Sequence, residues 1–178
     1  MKELILGGMK SGKSRLAENL AKLTNKNVIY IATSAGNDQE MLARVEKHRS
    51  FRPANWKTIE EPIKLAETLQ QNANQNTCLL VDCLTLWMTN LLVKENEVLL
   101  TTEIEKLLNV LIDLPGHIIF VSNETGLGII PLGDLTRRFC DETGLLHQNI
   151  ASLCDRVIFT VAGLPHILKG SCIKGETR

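Results

Sequence analysis

The sequence has no excess of either charge: 20 Lys and Arg stand against 20 Asp and Glu. With no basic cluster interleaved with aromatics, that balance speaks against nucleic acid as a partner. A long apolar run is also missing. Nothing approaches the roughly 20 apolar residues that a membrane-spanning helix needs. The opening stretch, MKELILGGMK, meets glycines after too few apolar residues to make the hydrophobic region of a signal peptide. The five cysteines (Cys78, Cys83, Cys140, Cys154 and Cys172) are scattered, odd in number and form no CxxC pair. They read as buried reduced thiols, not as a metal site or a disulfide framework. A cytoplasmic address is the expectation left by elimination. The length fits one domain, residues 1–178, able to bury a core without staples.

What is present is an alternation of short apolar runs with amphipathic segments. Leu4–Leu6, Val28–Ala32, Cys78–Val81, Ile118–Val121 and Val157–Val161 are apolar without period-two alternation, the pattern of strands buried on both faces. Between them, Ser14–Leu23, Asp38–Arg49, Pro62–Ala73, Thr85–Val93, Thr101–Ile112 and Leu132–Leu153 carry helical spacing or continuous apolar character. Gly144 is a candidate break in the last of these. Gln70–Asn76 reads as a frayed helix end and loop, and Leu164–Arg178 gives no clear element. Strand alternating with helix predicts an α/β fold, a mostly parallel sheet flanked by helices in three layers.

One motif is specific. Gly7-Gly8-Met9-Lys10-Ser11-Gly12-Lys13-Ser14 fits G-x-x-x-x-G-K-[ST], follows a predicted strand and opens a predicted helix, the context that the motif requires. Its glycines let backbone N–H groups converge on phosphate oxygens, and the helix N-terminus adds partial positive charge. Lys13 can reach the β and γ phosphates, and Ser14 can ligate magnesium. Asp82 ends the third predicted strand, where such loops borrow a carboxylate for the metal; capping the helix that begins near Leu84 is its structural alternative. The fold expectation is therefore P-loop NTPase-like, of the RecA type, with a nucleoside triphosphate and Mg2+ as ligands.

The loop alone does not distinguish a kinase from an ATPase or a switch. Thr33-Ser34 follows the second predicted strand and so lies at the carboxyl rim of the sheet. Next comes a polar helix with Arg44, Lys47, His48 and Arg49, then Arg52; Arg44 and His48 share a face. That face could hold polyphosphate, with His48 as base or nucleophile, or it could be a solvated mixed-charge surface. Glu60-Glu61 before Pro62 could complement a helix dipole or read a base or ribose. Ser122 to Gly128 is a polar, glycine-bearing loop at the rim, and its Glu124 is a candidate for substrate or metal contact, with a plain loop as the alternative. His117, His147 and His166 have no ligand spacing and read as structural or exposed.

Taken together, GGMKSGKSRLAE, YIATS, EMLARVEKHRSFRPANW, LLVDCLTLWMTNLL and VSNETGLGIIP resemble the bifunctional adenosylcobinamide kinase / adenosylcobinamide-phosphate guanylyltransferase family of cobalamin biosynthesis. The R-x-x-x-H-x-x-x-R-P-x-x-W string after Y-I-A-T-S is far more specific than the phosphate loop. The resemblance implies phosphorylation of adenosylcobinamide by ATP or GTP. It further implies transfer of GMP from GTP to the new phosphate through a guanylyl-histidine, with pyrophosphate released. Carried over, the histidine is His48; Lys47 stands where some relatives have a second histidine. The implied nucleotide contacts are Gly7 through Ser14, Ala32, Thr33, Ser34, Arg49, Ser50, Phe51, Arg52, Glu60 and Asp82. Ser14 and Asp82 are the implied magnesium ligands, and Lys13 joins His48 as a catalytic residue. A homo-oligomer, commonly a trimer, is implied as well.

Overall fold

The structure is a computed structural model that describes residues 1–35, 53 and 55–171. The Asp38–Arg49 helix expected from the sequence, and His48 with it, lie outside the described residues, as does Cys172. In chain order the described elements are β1 (Lys2–Gly7), α1 (Lys13–Leu23), β2 (Asn27–Ala32), β3 (Lys57–Glu60), α2 (Leu65–Asn72), β4 (Thr77–Asp82), α3 (Leu84–Leu92), α4 (Glu97–Asp113), β5 (His117–Asn123), α5 (Asp134–Leu153), β6 (Arg156–Val161) and β7 (Leu164–Lys169).

The seven strands form one sheet in the order β3-β2-β4-β5-β1-β6-β7. Every pairing is parallel except β6 with β7. The central strands are apolar at successive positions because both faces are covered. Leu4, Leu6, Leu79, Val81, Ile118 and Phe120 point into one core with residues of α2, α3, α4 and α5. Ile5, Leu80, Ile119, Val121 and Ile158 point to the other, where α1 contributes Ala17, Leu20 and Ala21. The sheet thus has helices on both faces, the α/β architecture expected.

The five expected strands are all present, and two more flank them. β3 (KTIE) is a short edge strand with three of its four residues exposed, so it lacks the apolar run that marks the others. β7 is the other edge. It returns from β6 through a two-residue turn, with φ of 52° at Ala162 and 81° at Gly163, the left-handed pair that a tight hairpin of this kind needs. Gly144 does not break α5, which runs through it for 20 residues. The segment after Leu69 is a helix end and loop, since α2 stops at Asn72.

Parallel pairing puts the carboxyl ends of β1, β2, β4 and β5 on one rim. Gly7, Ala32, Asp82 and Asn123 all end there, and the register pairs Gly7 with Asn123 and Ala32 with Asp82.

Candidate active site

The chain leaves β1 through a loop that tolerates only glycine at two places. A Cβ on Gly7 would lie 2.4 Å from the Thr160 carbonyl oxygen, with φ at 153°. Gly12, the residue before α1, has φ 101° and faces Gly163 Cα at 3.1 Å from the same ideal Cβ position. The β6–β7 turn braces the loop from behind, with Gly163 N–H donating to the Ser11 carbonyl at 2.8 Å. α1 begins with no side-chain cap and no acid in its first turn, so its N-terminal amides face the loop uncompeted.

Lys13 is 6% exposed. Its Nζ donates to the Gly8 carbonyl at 2.6 Å and to Ser11 Oγ at 3.5 Å. Burial lowers its ammonium from the ordinary value, and the nearby Cys83 and Asp82 offset only part of that. The side chain therefore folds back on the loop and holds a carbonyl where a phosphate oxygen would be the stronger acceptor.

Asp82 ends β4, and its Oδ2 accepts from the Tyr30 hydroxyl at 2.7 Å. The capping alternative does not hold: Cys83 is the residue before α3, and no side chain caps that helix. Thr33 is fully buried and latches the neighbouring strand end. Its Oγ1 donates to the Cys83 carbonyl at 2.7 Å and accepts from Cys83 N–H at 3.0 Å, while its own carbonyl takes Asn90 Nδ2 at 2.6 Å. Ala32 and Ser34 flank it on the same rim. Among the expected nucleotide contacts, Gly8, Met9 and Lys10 are exposed, and Ser14 is half-buried at the start of α1.

The acids of Glu60-Glu61 divide. Glu61 Oε1 accepts from Ile63 and Lys64 N–H at 2.9 and 2.7 Å, so it organises the entry to α2. Glu60 is exposed at the end of β3. Glu124 enters at the rim beside the phosphate loop, its N–H donating to the Gly7 carbonyl at 2.9 Å.

His147 joins the rim unexpectedly. It sits on the buried stripe of α5 with Thr143, Leu146 and Ile150. Its Nε2 lies 2.7 Å from Ser122 Oγ and its Nδ1 3.9 Å from Glu124 Oε2. Burial holds the imidazole below its ordinary pKa, with Glu124 pulling the other way. The helical period of α5 was the available signal for burial; the meeting with Ser122 and Glu124 is tertiary. His117 is structural, donating to Glu3 at 2.5 Å, and His166 is exposed on β7. Arg49, Ser50, Phe51 and Arg52 lie outside the described residues, with His48.

Residues 3–168 match the family model described as cobinamide kinase / cobinamide phosphate guanyltransferase, CobU. The chain belongs to that family. It is 59% identical over 170 residues to the bifunctional adenosylcobalamin biosynthesis protein CobP of Pseudomonas aeruginosa, covering 96% of this chain and 98% of that protein. The like-named CobU of Escherichia coli is 36% identical over 174 residues, covering 90% of this chain and 96% of its own length. At the level of fold alone, the RadB recombinase superposes with a TM-score of 0.52 at 18% identity, over 89% of this chain and 73% of its own. A Pyrococcus horikoshii protein does so with 0.57 at 10% identity, over 95% and 86%. This member of the cobinamide kinase / guanyltransferase family thus carries a RecA-like α/β sheet, and its carboxyl rim gathers the phosphate-loop motif, Ala32 to Ser34 and Asp82.

Proposed function

We propose that this chain, acting as one domain, phosphorylates the aminopropanol hydroxyl of adenosylcobinamide with ATP or GTP. It then transfers GMP from GTP to that phosphate through a guanylyl-His48 intermediate, giving adenosylcobinamide-GDP and pyrophosphate. The observation that carries the reading is the buried Lys13 folded onto a glycine-constrained loop, in a chain of the cobinamide kinase / guanyltransferase family. A cytoplasmic setting and a homo-oligomer, a trimer by family resemblance, go with this reading. Among the described residues no helix is long and apolar enough to cross a membrane.

The residues on the rim fit magnesium. Ser14 and Asp82 offer hard oxygen donors, and the Tyr30 hydroxyl occupies Asp82 Oδ2, leaving Oδ1 to face a cation directly or through water. When bound, the ion would neutralise charge shared between the β and γ phosphates. The loop amides and Lys13 would bind the triphosphate, with Lys13 moving its donors from the Gly8 carbonyl to phosphate oxygen. Ala32, Thr33, Ser34, Arg49, Ser50, Phe51, Arg52 and Glu60 complete the proposed nucleotide contacts. In the guanylyl step His48 attacks the α phosphorus and pyrophosphate leaves; substrate phosphate then displaces GMP from the histidine. In the kinase step the γ phosphate must face the corrinoid, so the triphosphate takes two poses or the segment bearing His48 moves.

The test is GTP labelled at the α phosphate, incubated with magnesium and protein and then denatured. Label on the chain that survives alkali, is lost in acid and is missing from His48→Ala is the expected result. GTP-binding protein that stays unlabelled would overturn the covalent step and leave a simple kinase.

A further inference from the structure

Transfer of a γ phosphate to a hydroxyl needs somewhere for the hydroxyl proton to go. The described carboxylates at or just past the carboxyl ends of the strands are Glu60, Glu61, Asp82 and Glu124, and the fold separates them; Asp134, at the start of α5, is exposed and paired with Arg137. Strands lie about 4.8 Å apart, which puts Glu60, four strands from the phosphate-loop strand, about 19 Å away and Asp82, two strands away, about 10 Å away. Glu61 is occupied with the backbone entering α2. Asp82 is hydrogen-bonded to Tyr30 through Oδ2, and its Oδ1 is the oxygen given to magnesium in the reading above. Glu124 stands one strand from β1, and its N–H bonds the Gly7 carbonyl, so its backbone is fixed to the first residue of the phosphate loop.

The Glu124 side chain is itself held. Oε1 accepts from Gly126 N–H at 2.6 Å. Oε2 is the remaining oxygen, with the side chain 21% exposed, and faces His147 Nδ1 at 3.9 Å. His147 is in turn fixed through Nε2 to Ser122 Oγ, on a residue with no exposed surface. At 3.9 Å the two groups are neighbours and not hydrogen-bonded. Because a carboxylate only accepts, closing that gap requires the tautomer protonated on Nδ1, with the Ser122 hydroxyl donating to Nε2. Ser122, too buried to be a nucleophile, serves as the anchor.

We propose that Glu124 is the catalytic base of the phosphoryl-transfer step and that His147 is its positioning residue. The substrate hydroxyl oxygen bonds to the γ phosphorus as the bond from that phosphorus to the β–γ bridging oxygen breaks. The hydroxyl proton passes to Glu124 Oε2, and the nucleoside diphosphate leaves with the bond's electron pair. The guanylyl step uses no hydroxyl and does not need Glu124. This assignment rests on the kinase reading above.

The two half-reactions separate the possibilities. Phosphorylation is followed with γ-labelled ATP or GTP and adenosylcobinamide, and guanylylation with α-labelled GTP on the protein itself. Glu124→Gln should lower kcat for phosphorylation by roughly 10²- to 10⁴-fold, the usual share of a general base. Its nucleotide KM and guanylylation should stay within about threefold of the parent. His147→Ala should cost kcat about tenfold. His147→Asn, whose amide nitrogen stands where Nδ1 does, should recover most of it, and His147→Gln, which reaches only the Nε2 position, should not. Unchanged kcat in Glu124→Gln overturns the base assignment. Equal loss of both half-reactions in folded Glu124→Gln also overturns it, in favour of a structural role. A parent protein that guanylylates but never phosphorylates adenosylcobinamide brings down the kinase reading and this proposal together.

Discussion

Buried charge occurs at both ends of the same sheet, and the two ends handle it differently. At the amino rim, Glu3 of β1 has no exposed surface. Its oxygens are taken by His117 Nε2 at 2.5 Å and Arg156 Nε at 2.6 Å, from the strands on either side. Burial alone would raise the Glu3 carboxyl, but these two partners outweigh it and hold the pKa below the ordinary value. Nearby, Asp155 Oδ2 accepts from Lys2 N–H at 2.7 Å, and the terminal amine donates to the Gly116 carbonyl at 2.8 Å. At the carboxyl rim, Lys13 is nearly as buried, yet among the described residues its contacts are a carbonyl and a hydroxyl. A charge closed by its counter-ion holds a fold together. A charge such as Lys13, with no carboxylate at ion-pair distance among the described residues, carries a desolvation cost that an incoming anion would offset.

The largest effect that would break this comparison is at the rim. Lys13→Ala should lower turnover in both half-reactions by about 10²- to 10³-fold, as loss of a preorganised donor to phosphate does. The free protein should melt no lower than the parent, because the substitution removes a cation that burial disfavours. Saturating GTP with magnesium, at about 100 times its Kd, stabilises a binding protein by about 2.7 kcal/mol. That gain should show as a rise in Tm in the parent and shrink in the variant. A variant that melts well below the parent would mean that Lys13 is structural after all.

The base should respond in the opposite sense. Arg156→Met strands the Glu3 carboxylate and should cost about 3–5 kcal/mol, roughly 6–20 °C in Tm for a chain this size. Turnover per folded molecule should be unchanged well below the transition. The pH dependence has a definite sign. Glu3's native pKa is depressed, so its stabilising contribution is complete above the ordinary carboxylate range and is lost as pH falls through the native value. The stability gap between parent and variant should therefore close in acid. A gap that persisted or widened there would assign the loss to packing by the Arg156 stem and not to its charge.

A milder probe tests the neighbouring strand end. Glu61→Ala removes the acceptor for two backbone N–H groups at the entry to α2 and should cost about 1 kcal/mol, the usual value of a helix-start acceptor. If Glu61 read a base as well, the same change would raise nucleotide KM, and an unaltered KM leaves it structural.

How legible all this was depended on range along the chain. β1, β2, β4, β5 and β6 were plain because strands buried on both faces write unbroken apolar runs. β3 and β7 were not, because edge strands such as KTIE are half-solvated and lose that signature. The strand–loop–helix course of the phosphate-loop motif was legible from eight consecutive residues, but its bracing by Thr160 and Gly163 was not. The place of Asp82 at a strand end was readable, but its bond to Tyr30, 52 residues away, was not. His147 was read only as structural or exposed, because its meeting with Ser122 and Glu124 depends on how α5 docks on the sheet. The Glu3–Arg156 pair spans 153 positions and left no local trace.

The smallest expected effect concerns a thiol at the rim. Cys83 follows Asp82 and lies close to Lys13, a setting that could suggest a reactive cysteine. Burial, with Asp82 adding to it, pushes Cys83 up to about 11, and burial pushes Cys78 and Cys154 up to about 12. At pH 8 a thiol of pKa 11 is about one part in a thousand thiolate, against about a quarter for an unperturbed thiol. Iodoacetamide should therefore modify Cys83 in the native protein at least about 100-fold more slowly than in the unfolded chain, as read by peptide mass mapping. Rapid native labelling of Cys83, with Cys78 and Cys154 protected, would show that the Lys13 cation governs that corner. The rim would then hold a nucleophile as well as a phosphate site. Slow labelling of all three leaves the carboxyl rim distinguished from the base by its carboxylates and by a Lys13 cation that, among the described residues, bonds a carbonyl and a hydroxyl.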